Sequence, residues 1–197
     1  MTSPVETAVI VREKIAQAVD ILNETDTDLW LTLVRETSQV KDPVLDLILG
    51  FDLTWLSGLL IHRNGSCTAI VGRFDATNFE QLGAYDNVVT YDQAFLPALA
   101  QAIRSSDPGN IAINTSDNDP AADGLTYGLY RLLNKALADT PYGSRLVSAE
   151  SIIGALRGRK TPTEIGLIEA AVVESQTAIA ELHEVIRPGI SDREIAD

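Results

Sequence analysis

The sequence predicts an α/β protein: a three-layer domain on a mixed, mostly parallel sheet of five or six strands, followed by a long C-terminal helix. Three observations carry this expectation. Beyond residue 72, short β-prone runs alternate with amphipathic helical stretches, the order that crossover connections between parallel strands require. Earlier, two β-prone runs flank Asn64-Gly65, which predicts an antiparallel hairpin over about 55–71 and makes the sheet mixed. Last, residues 162–187 place apolar side chains at steps of three and four along about 39 Å of helix.

Taken in order, residues 5–23 read as a helix, with Ala8, Val11, Ile15, Ala18, Val19 and Leu22 along one face. "DLWLTLV", 28–34, is an apolar, β-prone run suited to a buried strand. Asp42-Pro43 opens a short helix, since proline is tolerated in the first turn, and Gly50 closes it. The hairpin strands fall near 55–62 and 67–71, with a type I′ turn expected at Asn64-Gly65. "DATNFEQLGA" is then a helix, "NVVTY" a strand and "DQAFLPALAQAIRSS" a helix. "NIAINT" is a strand, "ADGLTYGLYRLLNKALAD" a longer helix and "SRLVS" a short last strand.

A domain boundary is expected at 157–161, "RGRKT", between an α/β domain over 1–156 and a segment over 162–197. Thr161-Pro162-Thr163-Glu164 is a capping box with proline at the first helical position. The apolar face of the helix that follows runs through Ile165, Ile168, Val172, Ile179, Leu182 and Ile186, a stripe wide enough to require a partner surface. Pro188-Gly189 ends that helix, and Ser191 with Glu194 caps another starting at about Asp192. Six residues are too few for a helix to stand alone, so a longer natural protein, truncated at Asp197, is expected.

Composition excludes several classes. With 28 acidic against 15 basic residues and a net charge of −13, the chain lacks the clustered cations that nucleic-acid phosphates need. No apolar run approaches the roughly 20 residues of a membrane helix. The N-terminus is not built like a signal peptide. Cys67 is the single cysteine, which excludes an intrachain disulfide and fits a reducing cytoplasm.

Chemistry-bearing residues are sparse. His62 and His183 are the two histidines, too few for a dinuclear hydrolase centre, and neither belongs to an HExxH pattern. His62 is expected as a solvated strand residue, His183 on a helix surface and Cys67 as a small strand residue. No glycine-rich phosphate loop, nucleophile elbow or calcium loop is present; "SDNDPAADG" reads as a turn. Arg35-Glu36 follows the first strand, where ligands of α/β sheets tend to bind, and Trp55 opens the hairpin.

The junction carries a resemblance. Arg157, Lys160, Pro162, Glu164 and Ile165, a long helix, then Arg187-Pro188-Gly189 and Ser191 with Glu194 resemble the junction of the creatinase and Xaa-Pro aminopeptidase family, the M24-type metallopeptidases. Residues 1–156 are then similar to that family's creatinase-like N-terminal domain. The resemblance implies a parent Xaa-Pro aminopeptidase or dipeptidase using two divalent metal ions (Mn, Co or Zn). Its two Asp, one His and two Glu ligands lie in the pita-bread domain beyond the junction. It implies no cofactor, catalytic residue or metal ligand in this chain. The expected role is a non-catalytic domain that shapes substrate access and supports oligomerisation. Arg35 and Trp55 would line the substrate entrance. The missing catalytic domain and a second copy, in a homodimer, are the expected partners. A stand-alone small-molecule binding module derived from such a domain is the alternative.

Overall fold

The computed structural model describes residues 4–196, which form two compact units divided between Arg159 and Lys160. The first unit is built on a six-stranded sheet of order β4-β3-β2-β1-β5-β6. Its strands are β1 (Leu29–Val34), β2 (Ser57–His62), β3 (Cys67–Gly72), β4 (Asn87–Tyr91), β5 (Ile111–Ile113) and β6 (Leu146–Ser148). The pairings make β2 the one reversed strand; the other five run in the same direction. The mixed, mostly parallel sheet read from the sequence is therefore observed.

Helices cover both faces, as the burial of β1 along its whole length requires. Side chains alternate across the strands with period two. On one face Trp30, Val34, Leu59, Ile61, Ala69 and Val71 pack under α1 (Pro4–Glu24), α2 (Leu45–Ile48), α3 (Ala76–Leu82) and α6 (Glu150–Gly158). On the other, Leu29, Leu31, Leu33, Leu60 and Ile70 pack under α4 (Phe95–Ser106) and α5 (Tyr127–Ala136).

Three local expectations are corrected. The hairpin turn is not type I′, because Asn64 keeps a negative φ and Gly65 alone is positive, at +90°. Gly65 N–H donates to His62 O at 2.9 Å and His62 N–H to Ser66 O at 3.0 Å. That is the three-residue connection in which a type I turn is followed by a left-handed glycine, and Asn64 Oδ1 holds it by accepting from Ser66 N–H at 3.0 Å. The helix expected from Ala122 starts only at Tyr127, where Thr126 is the N-cap. Leu125 N–H instead donates to Asn114 O, which ties the preceding segment to the end of β5. Finally, α6 is a helix that the sequence expectations lack; Ile152, Ile153 and Leu156, at helical spacing, bury it in one cluster with α1.

Arg157 and Gly158 thus belong to α6, and the division between units falls between Arg159 and Lys160. The C-terminus of α6 is held by α1: buried Lys14 donates to Leu156 O at 2.8 Å and Arg159 O at 2.6 Å, and Arg159 pairs with Glu24 at 2.6 Å.

The second unit contains α7 (Pro162–Val185) and α8 (Asp192–Ala196). Both capping boxes form. Thr161 and Glu164 exchange bonds of 3.2 and 2.8 Å, and Ser191 and Glu194 bonds of 3.3 and 2.9 Å. Helix α7 ends two residues earlier than expected, with Arg187 biased away from helix by Pro188. No helix among the described residues is long and apolar enough to cross a membrane.

Candidate functional site

Because five strands share a direction, their carboxyl ends meet at one edge of the sheet, joined by the start of β2. The chain leaves β1 toward β2 on one side and β5 toward β6 on the other. Such a divergence leaves a crevice between the two strand ends, the usual ligand position in open α/β sheets. At the β1 end, a crevice of about 290 Å³ runs toward the start of α5, lined by Leu33, Arg35, Glu36, Asp42, Gly124 and Thr126, among others.

Asp42, in its lining, belongs to a buried polar network. Asp42, 3% exposed, accepts from Asn114 Nδ2 at 2.8 Å and from Val44 N–H at 3.0 Å. Asn114 Oδ1 accepts from Trp30 Nε1 at 2.7 Å, and its Nδ2 also reaches Thr32 Oγ1 at 3.3 Å. Burial pushes the Asp42 carboxyl above the usual aspartate range; the bonds from Asn114 and Val44 oppose this, and nearby Asp123 adds to it. Gly124 lies against it, since a Cβ there would lie 2.1 Å from the Asp42 carboxyl carbon. Only glycine lets this backbone close over the carboxylate.

A second feature sits at the β3 and β4 ends. The Trp55 ring lies on Gly72, where a Cβ would come within 2.5 Å of it. Phe74 meets Trp55 edge-on at 5.6 Å and Tyr91 lies at 5.8 Å. Tyr91 Oη donates to Leu56 O at 2.7 Å, and burial raises its phenol, with Asp75 adding to the effect. Phe74 is 69% exposed, with the Arg73 guanidinium 5.2 Å over its ring. Arg73 also pairs with Asp92 at 3.2 Å.

Arg35 and Trp55 therefore share the carboxyl edge but not one site: Arg35 borders the crevice at the β1 end, and Trp55 belongs to the aromatic corner. On α7, Ile165, Ile168, Val172, Ile179 and Leu182 are exposed, as is Ile186 just after it, with Ile179 at 66%. His183 is exposed as expected, whereas His62 is half-buried and burial lowers its imidazole. Cys67 is buried, and burial followed by Asp86 pushes its thiol up to about 12. In "SDNDPAADG", Ser116 Oγ and Asp119 Oδ1 accept backbone N–H groups of the same loop, a turn network. Among the described residues no group of three His, Cys, Asp or Glu side chains could hold a metal ion.

Asp42, Asn114, Phe74 and Tyr91 were not singled out from the sequence. Asn114 alone carried a usable signal, a lone amide at the end of an apolar strand.

No family model matches the chain, and no curated protein sequence matches it. Solved structures do. An Xaa-Pro dipeptidase from Bacillus anthracis superposes with a TM-score of 0.58 at 20% identity, over 94% of this chain and 46% of that one. The creatinase/prolidase N-terminal domain of an X-Pro dipeptidase from Streptococcus pyogenes matches over 98% of its own length and 74% of this chain, at 10% identity and a TM-score of 0.53. The fold is that of the creatinase/prolidase N-terminal domain. It is not confined to proteins named as peptidases. The N-terminal domain of FACT complex subunit SPT16 from Cicer arietinum matches at a TM-score of 0.58 and 12% identity, over 88% of this chain and 46% of that one. The chain spans about half the length of the whole dipeptidase it matches, 46%.

Proposed function

We propose that this chain is the non-catalytic N-terminal domain of an Xaa-Pro peptidase-like, cytoplasmic metalloprotein, and that it shapes substrate access and supports oligomerisation. The observation that carries the reading is the span of the match: the Bacillus anthracis dipeptidase aligns with 94% of this chain, not with the α/β unit alone. The junction motif adds specificity that fold alone lacks, since one fold hosts many functions.

In this reading the chain itself supplies no two-metal centre. What supports this is that no group of three His, Cys, Asp or Glu side chains forms among the described residues. Metal chemistry would belong to a further domain, with Arg35 and Trp55 at the substrate entrance. The exposed stripe of α7 is the proposed surface for that domain or for a second copy.

Light scattering of the purified chain tests the oligomeric part. The expected result is a mass of twice the chain's, returning to one chain mass when Ile168 and Ile179 are both replaced by Glu. A strict monomer at high concentration contradicts it.

A further inference from the structure

We propose that the crevice between the β1 end and the start of α5 binds a free α-amino acid with a small, branched apolar side chain. This inference is independent of the peptidase reading.

The crevice stands at the position where open α/β sheets take ligands, and its polar groups are not used up by the fold. The side chains of Arg35, Glu36 and Gln39 line it and make no hydrogen bond or ion pair with any described residue. The backbone is committed to presenting them. Glu36 holds a φ of +48°, in the left-handed region that a glutamate avoids, and its carbonyl accepts from Gln39 N–H at 2.8 Å and Val40 N–H at 3.2 Å. This folds residues 36–40 into a turn beside the β1 end.

Charge selects the ligand class. Asp42 is buried with Gly124 closed over its carboxyl, so the exposed charges that a ligand meets are the Arg35 guanidinium and the Glu36 carboxylate. A simple anion would face Glu36 unpaired, and a simple amine would face Arg35. A molecule with one carboxylate and one ammonium matches both. Arg35 suits the carboxylate through paired N–H donors. Thr126 starts α5 at the same crevice, and the amides of a first helical turn favour negative charge there as well. Glu36 and the Gln39 carbonyl suit the ammonium.

Size and apolarity narrow the class. About 290 Å³ is at the lower end for ligand pockets, room for a single amino acid rather than an extended peptide. Leu33, Val40 and Leu129 supply the apolar wall for a branched side chain.

The test is a titration of the ¹⁵N-labelled full chain with L-valine, followed by heteronuclear NMR. Isovalerate (valine without its amine) and isobutylamine (valine without its carboxylate) serve as controls. The expected result is saturable shifts confined to residues 33–42 and 124–129, with half-saturation at or below about 1 mM, and no saturation by either control. Arg35→Gln and Glu36→Gln are exposed, unpaired positions, so both variants keep a dispersed spectrum and each weakens valine binding at least about tenfold. Shifts that stay linear to about 10 mM overturn the proposal. So does isovalerate binding as well as valine, which would make the crevice an anion site, and so does unchanged binding in either variant.

Discussion

Asn114 is the residue whose removal the structure prices most clearly. It is 1% exposed and links two buried groups that have few alternatives: the Trp30 indole N–H at 2.7 Å and an Asp42 carboxylate oxygen at 2.8 Å. Asn114→Ala leaves the indole N–H without an acceptor, which costs about 1–3 kcal/mol, and strips a bond to a carboxylate worth about 1.5–3 kcal/mol. The Thr32 contact at 3.3 Å is longer and contributes least. A water entering the vacated space would return part of this, so a net loss of about 3–4 kcal/mol is expected. With a urea m-value of about 2 kcal/mol/M, the midpoint falls by about 1.5–2 M. Urea unfolding followed by tryptophan fluorescence and circular dichroism in parallel reads this directly. A midpoint shift under about 0.5 M at unchanged m would refute the reasoning, because it would mean that the network is not closed as described.

Two further outcomes follow from the same geometry. Burial raises the Asp42 carboxyl in the folded state, so its contribution to stability is fully present below the unfolded aspartate value of about 3.9 and is lost as pH rises through the folded value. The stability difference between the wild type and Asp42→Asn should therefore shrink from about pH 4 upward; a difference that grows with pH contradicts this sign. Lys14→Met removes the donors that hold Leu156 O and Arg159 O, so amide exchange across α6 should speed at least about tenfold while exchange in β1 changes little. Equal acceleration in both places would show that α6 opens only with the whole unit.

Much of the fold was readable because its determinants are local. β1 announces itself as six consecutive buried residues, and α7 by a capping box whose two partners are three positions apart. Asn64-Gly65 marked the hairpin but not its turn type, since the pair suits both a type I′ turn and a type I turn with a left-handed glycine; His62 and Ser66 decide between them. The α6 pattern of Ile152, Ile153 and Leu156 was present but interrupted by Gly154 and Gly158, both poor helix formers. The site was less legible. Arg35-Glu36 stood out because a strand end precedes it. Asp42 read only as a helix-start residue, because its partner Asn114 is 72 positions away and Gly124 approaches it through a different loop. Trp55 looked like a hairpin residue, and its place over Gly72 depends on how two strands pair. Such convergence is written in tertiary packing, which no local pattern encodes.

Hydrolysis of an Xaa-Pro dipeptide by the purified chain in Mn²⁺ or Co²⁺ tests most directly the proposal that this chain is non-catalytic. The account predicts no turnover above buffer, with or without a chelator. Cleavage that a chelator abolishes would contradict it and would place an active site inside this chain.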